Sequence, residues 1–533
     1  MPDLARLLAV ARGDARADLL VRGGRVVNVF SGEIEAIDIA IADGKIASLG
    51  QNLQGDRTFD LDGAFVVPGL IDSHVHIESS LCVPAEFAAA VVPRGVTAVV
   101  ADPHELANVV GTEAVRWMHR ASRGLPLDVI LMGPSCVPAT SMATAGASID
   151  ADDLQALLDE GLIHGLAEAM NFPGVIGGDT AMLAKLQTLS GRPIDGHAPG
   201  VRGSALAAYI AAGVTNDHEA VTADEAREKL ARGMYVLIRE ATNARNLDAL
   251  LPIITPANAR RICFCTDDRT PSDLLRDGSI DMMLRRAIAF GIEPIEAIRM
   301  ATLNAAECFG LMHLGAIAPG RDASFFVCDN LKRPVAEQVF SRGELVACDG
   351  RLVVPPPATA IDSQLTGCSR FEPTAIDLRI RGGRGKVRVI GSNADQLLTD
   401  RLSLPPRIEN GYAVADVSRD LLKMAVVERH RGTGNVGLGF IQGFGLKRGA
   451  IAGTVAHDHH NLVCIGADDR SMHAAISTVK QLGGGLVVCD GDEVLAQVAL
   501  PVGGLMSDQR IDTVAREYDR LVRSARAAWI AAA

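Results

Sequence analysis

No apolar run in the 533 residues approaches the roughly 20 needed to cross a bilayer, so no membrane partner is expected. Positive charge is in short supply as well. Lys and Arg number 52 against 64 Asp and Glu, no basic block occurs, and the formal charge is −12. Nucleic acid and other polyanions are therefore poor partners. The ten cysteines (Cys82, Cys136, Cys263, Cys265, Cys308, Cys328, Cys348, Cys368, Cys464, Cys489) show no CxxC spacing. Most lie in apolar runs such as ICFC and LVVC, where a free thiol behaves as a small buried hydrophobe. That usage fits a reducing cytoplasm. The glycine pair Gly23-Gly24 and the run Gly483–Gly485 are followed by neither GK[ST] nor GxGxxG, and read as turns rather than phosphate cradles. The first residues, MPDLARLLAVARGDARADLL, carry Asp3, Asp14 and Asp18 and lack an apolar core with a cleavage site. A capped amphipathic helix from Asp3 to about Gly13 is expected there.

The length is several times that of a typical domain, which predicts two or three domains. A hydrophobic fraction of 48% with 53 glycines suits an α/β enzyme with many tight turns. After the first helix, alternating apolar and polar residues between glycine turns predict a β-meander to about Val67. The same texture returns over 314–354, so residues 1–68 and 313–360 are expected to complete one small β-domain around an insertion. That insertion, 69–312, repeats strand then helix. Candidate strands fall at 70–76, 96–104, 128–135, 163–170, 194–198, 214–219, 235–240 and 261–268. Several helical patterns end in a glycine just before the next strand, as in RGV, AGV and RGM. Eight units in about 240 residues predict a (β/α)8 TIM-like barrel. A doubly wound open sheet is the rival. The stretch PPPATAIDS (355–363) reads as a linker, and 361–533 as a separate C-terminal α/β domain.

PGLIDSHVHIESS, residues 68–80, puts His74 and His76 at i and i+2, on one face of a strand. Barrel enzymes build their sites at the C-terminal ends of their strands. Metal-capable residues gather at those ends here: Asp102, His104 and Glu105, then Glu168, His197, Asp217, His218 and Glu219, then Asp267 and Asp268. Any one of them is explained as a core histidine or a helix cap; the recurrence over at least five strands is not. Four histidines and two carboxylates exceed the four ligands of one tetrahedral zinc and suffice for two divalent ions sharing a water. Glu168, central in strand order, is the natural bridge, and ligand type alone leaves Zn, Fe and Mn open. Two ions would lower the pKa of that water, and Asp267 is the expected proton relay.

VVPGLIDSHVHIESS and the strand ends resemble the amidohydrolase superfamily. Many members carry a strand-4 Lys where this chain has Glu168, in GLAEAMNFPGVI, which excludes a hydantoinase-like reading. PHELANVVG, NDHEAVTADEAREKLARGMYVLIREA, TDDRTPSDLL, ATLNAAECFGL and above all GFGLKRGAIAGTVAHDHHNLVCIG are similar to bacterial adenine deaminases over nearly the whole chain. The resemblance implies hydrolysis of free adenine to hypoxanthine and ammonia by a metal-bridging hydroxide attacking C6. It implies two divalent ions, Mn or Fe in preference to Zn, held by His74, His76, Glu168, His197, His218 and Asp267. His104 and Glu105 stand where the family has further polar site residues, with proton transfer or an extra metal as their roles. Asn171, Arg239, Glu240 and Asp268 are weak candidates for contacts to the ring. A homodimer in the cytoplasm is expected. The family's usual HDSHN reads HDHHN here, His457 to Asn461, either a structural turn or a closure over the mouth with a secondary metal. His76-Ile77-Glu78 matches the H-x-E of zinc nucleobase deaminases, but no P-C-x-x-C completes that site. The alternatives are an amidohydrolase for another purine or N-heterocycle and a non-catalytic barrel scaffold.

Overall fold

The computed structural model describes residues 3–393 and 399–529. The first helix, Leu4–Arg12, is capped by the Asp3 carboxylate, which accepts from the backbone of Ala5 and Arg6, and ends at Gly13 in the left-handed region. Two sheets follow. Lys45–Gly50, Asp38–Ala42, Ala17–Arg22 and Gly55–Asp60 form one in that order. In the other, Phe325–Cys328 pairs antiparallel with Phe65–Pro68, Phe325 opposite Pro68. After the long excursion that begins at Gly69, the chain thus returns to the edge it left.

Between these stretches every pair of regular strands is parallel among the described residues, as alternation with helices requires. Leu70–Val75 pairs with Val96–Ala101, and that strand with Asp128–Leu131. Asn216–Asp217 pairs with Tyr235–Arg239, and that strand with Ile262–Cys265. Single bridges join Gly133 to Leu166 and Leu166 to Ile194, and Asp267 to Val75, so the last segment lies beside the first. Gly95, Gly213 and Gly233 take φ values of 91°, 98° and 92° just before their strands, where a side chain would be strained.

The segments expected as strands at 163–170 and 194–198 keep only those single bridges. Glycine explains the difference. A Cβ on Gly165 would lie 2.2 Å from the Pro193 carbonyl oxygen, and one on Gly196 would lie 2.0 Å from that of Asn216. Such close backbone approach replaces a regular ladder and bends the segments. The bend leaves the residues after it free to turn toward their neighbours.

The C-terminal region builds an eight-stranded sheet against the helix Asp469–Leu482, which the Asp468 carboxylate caps. It docks on the rest of the chain through hydrogen bonds. Ser507 N donates to Leu81 O at 2.8 Å, Ile511 N to Glu86 Oε2 at 2.9 Å, and Asn461 Nδ2 to Thr144 O at 2.8 Å. One buried apolar cluster runs from Val27 through the parallel strands to Val498 and Val514, crossing both regions. Among the described residues no helix is long and apolar enough to cross a membrane. All ten cysteines are free thiols and nine are buried.

Candidate metal centre

Alternation alone would keep His74 and His76 on one face, but the register of Leu70–Val75 slips between Asp72 and Val75. Such irregularities re-aim side chains. Here the two imidazoles meet tip to tip, with their Nε2 atoms 3.1 Å apart. Each ring is held from behind. His74 Nδ1 lies 2.6 Å from Asp195 Oδ2, and His76 Nδ1 lies 3.0 Å from Asp102 O. Second contacts of this kind fix ring orientation and leave Nε2 free to bind a metal.

Glu168 stands at the centre. Its Oε1 lies 3.3 Å from His76 Nε2, 3.6 Å from His104 Nδ1 and 3.9 Å from His74 Nε2. Its other oxygen lies 2.6 Å from His197 Nδ1 and 3.3 Å from His218 Nε2. Asp267, across the mouth, places Oδ1 3.2 Å from His76 Nε2, while its Oδ2 accepts from Arg239 Nη1 at 2.7 Å. Asp267 has φ +56°, uncommon for a residue with a side chain, and its N–H is tied to His74 O at 2.9 Å. Beneath it, Thr266 is hydrogen-bonded to the buried Asp72 carboxylate through both its N–H and its hydroxyl, which locks the last segment to the first.

Burial opposes ionisation of Glu168, but His197, His218 and His76 outweigh it and hold the carboxyl well below its ordinary range. Asp267 behaves alike: burial works against its charge, and His76 and Arg239 overcome it. Burial also disfavours a positive imidazole, yet Asp195 and Glu168 push His74 up to about 9, and Glu168 does the same for His197. The carboxylates Asp102, Glu168, Asp195, Glu219 and Asp267 thus draw positive charge into a dry pocket.

His218 supplies the fit test. It is 1% exposed, its Nδ1 has no hydrogen-bond partner, and its Nε2 lies 3.3 Å from Glu168 without an aligned hydrogen bond. Its ring stacks on His74 at 4.1 Å between centroids. Leaving a buried imidazole unsatisfied costs about 1–3 kcal/mol, which a metal ion at Nε2 would recover. Three overlapping sets, His76–Asp102–His104–Glu168, His74–Glu168–His218 and His74–His76–Asp267, each bring their ligand atoms within 4.8 Å of one another. The residues fit a pair of divalent ions.

The remaining residues singled out from the sequence divide. Arg239 is committed to carboxylates: it forks onto Glu219, with Nη2 2.9 Å from Oε2, and reaches Asp267. Glu240 turns away to accept from Leu247 N at 3.1 Å and from Arg286. Asn171 caps the helix Phe172–Gly177 through Gly174 N at 3.0 Å. Asp217 is neutralised by the wholly buried Lys229, 2.7 Å away. Glu105 accepts from Ser79 Oγ at 2.9 Å, and the same hydroxyl lies 2.6 Å from Asp268 Oδ1. Ser79, Asp268, Thr242 and His457 line a cavity of ≈ 260 Å³. A larger cleft, ≈ 670 Å³, runs past Arg94, Asp281 and Arg285 and shares no residue with the histidine cluster.

Of two further supports, Asp195 escapes the reading from sequence, while Asp458 lies in the HDHHN stretch singled out there. Asp195 precedes His197 by two residues, a spacing that flags a same-face partner. Asp458 comes from the C-terminal region, with its Oδ1 3.4 Å from His104 Nε2. For Asp195→Asn, metal affinity at the pair is expected to fall about 10–100-fold, the range for losing a ligand's support. Metal titration of the apoprotein checks it, and an unchanged affinity would mean that Asp195 does not orient His74.

Comparison with known proteins shows the family. The model of the amidohydrolase family matches residues 65–353, and that of the adenine deaminase C-terminal domain matches 396–531. An adenine deaminase of Desulfatibacillum aliphaticivorans is 47% identical over 523 residues, covering 98% of this chain and 92% of that protein. One from Nitratidesulfovibrio vulgaris is 48% identical over 528 residues, covering 98% and 91%. With a metal-ready histidine cluster in its amidohydrolase region and a matching C-terminal domain, the chain belongs to the adenine deaminase family.

Proposed function

We propose that the chain hydrolyses adenine and water to hypoxanthine and ammonia, at the rim of a (β/α)8 barrel formed by its parallel strands. The barrel would span residues 69–312, inside a small β-domain made from 1–68 and 313–360, with 361–533 as the C-terminal domain. The observation that carries the reading is Glu168. One buried carboxylate faces four histidines from other segments with its two oxygens, so it would help to hold both cations of a pair.

His74, His76, Glu168, His197, His218 and Asp267 would hold two divalent ions, Mn or Fe. When bound, the pair would acidify water and stabilise negative charge on its oxygen as it attacks. Asp267 would take the proton that water releases as its oxygen bonds to C6. It would pass that proton to N1, then carry the remaining proton of the new C6 hydroxyl to the amino nitrogen, so that the C6–N bond breaks, ammonia leaves and a C6 carbonyl remains. Arg239 holds Asp267 ionised, ready to accept, and orients its second oxygen. His104, flanked by the Asp102 and Asp458 carboxylates, would keep positive charge beside the leaving group. Asp268 and Ser79, on the adjoining cavity, would meet the ring. The closed, buried setting of the cluster keeps bulk water from the reacting atoms. Ten unpaired thiols support a cytoplasmic setting, and a homodimer is the proposed assembly.

Ammonia release from adenine, guanine, 6-substituted purines and cyclic amides is the test, with Mn- or Fe-loaded protein. Turnover of adenine above the others, lost on chelation and restored by metal, is expected. Inert adenine beside a reactive second ring would overturn the assignment.

A further inference from the structure

Just outside that cluster, two buried polar groups are left without partners. His460 is 0% exposed, and neither ring nitrogen has a hydrogen-bond partner. Glu105 is also 0% exposed; its Oε1 accepts from Ser79, but its Oε2 has no partner. A third residue, His457, is more open and places Nε2 3.9 Å from that Oε2. Its ring centroid lies 5.4 Å from that of His460. One ligand atom from each of the three lies within 4.8 Å of the other two.

We propose that Glu105, His457 and His460 form a further divalent-cation site, separate from the pair around Glu168. It would pin the C-terminal region to the helix His104–Val110.

Two orphaned groups at one place call for one explanation. An unpaired buried carboxylate oxygen and an unpaired buried imidazole each carry a desolvation penalty. A cation between them satisfies both, and a hydrogen bond between them is not made. The charge balance favours a cation. Glu78 and Glu105 are both buried, and Glu78 accepts from Leu106 N, next along the chain from Glu105, at 3.2 Å. Asp268 and Asp458 add negative charge on the other sides, against His104.

Ligand distances of about 2.0–2.2 Å require the three atoms to draw together by about 1 Å, which the exposed His457 side chain can supply. Two imidazoles and one carboxylate suit Zn, Fe or Co and leave one coordination position open. His459 takes no part. Its Nδ1 accepts from Asn461 N at 3.0 Å, and its carbonyl accepts from His430 Nε2 at 2.8 Å. The proposed site shares no ligand with the pair assigned to deamination and does not depend on that assignment.

The test is metal content of the full chain after dialysis against excess Zn²⁺ or Mn²⁺, by plasma emission. The unsubstituted protein should retain one more ion per chain than His460→Asn, and one more than His457→Asn. The exposed position of His457 makes that second variant safe for folding. His459→Ser should retain the full complement. Glu168→Gln should lose ions of the pair while keeping this one, so failure of either site is read separately. Zn²⁺ should also raise the Tm of the unsubstituted protein more than that of His460→Asn. Equal metal content in the unsubstituted protein and both histidine variants would overturn the proposal, and so would an unshifted Tm difference.

Discussion

Glu168→Gln is expected to lose more than about 100-fold in kcat/KM for adenine, because even a ligand's supporting group costs 10–100-fold when removed. The substitution changes one oxygen to an amide and removes one charge, with almost no change in volume. Its consequence is electrostatic. Glu168 is the carboxylate that His76, His104, His197 and His218 all face. Glutamine offers one weaker acceptor and a donor that points N–H at an imidazole. Metal analysis on the same protein should show ions lost from the pair, with circular dichroism unchanged. A variant that kept its metal and its turnover would remove Glu168 from the bridging position.

For Asp267→Asn, kcat should fall roughly 10²–10⁴-fold, the range for deleting a positioned acid–base group, with KM changed far less. Asparagine keeps the shape, so the left-handed backbone at this position and its tie to His74 O are retained. Arg239 also keeps its fork on Glu219, so no buried guanidinium is stranded. What disappears is the oxygen able to accept a proton and return it. Steady-state kinetics on metal-loaded variant and parent decide the matter. Near-normal kcat would assign the relay to another group.

Much of the local structure was legible because it depends on neighbours in the chain. The Asp3 cap, the glycines before the strands and the linker's composition are all short-range features. The first helix and the glycine conformations at 95, 213 and 233 follow from them. The two segments with Gly165 and Gly196 were read as full strands because their apolar content is that of strands. Their glycines instead serve close contact with backbones that periodicity does not see.

The site divides along the same line. By itself the sequence determined which side chains gather: histidines and carboxylates that recur at the ends of apolar segments. Only the tertiary structure decided how they pair. Asp195 backs His74, Arg239 serves Glu219 and Asp267 rather than a ring, Glu240 and Asn171 are spent on local capping and ion pairs, and Asp458 reaches His104 across 354 residues. Spacing along a chain fixes only which face of one segment a side chain takes. Which face of another segment it meets depends on register, bends and the docking of a distant region, and those are set by packing of the whole.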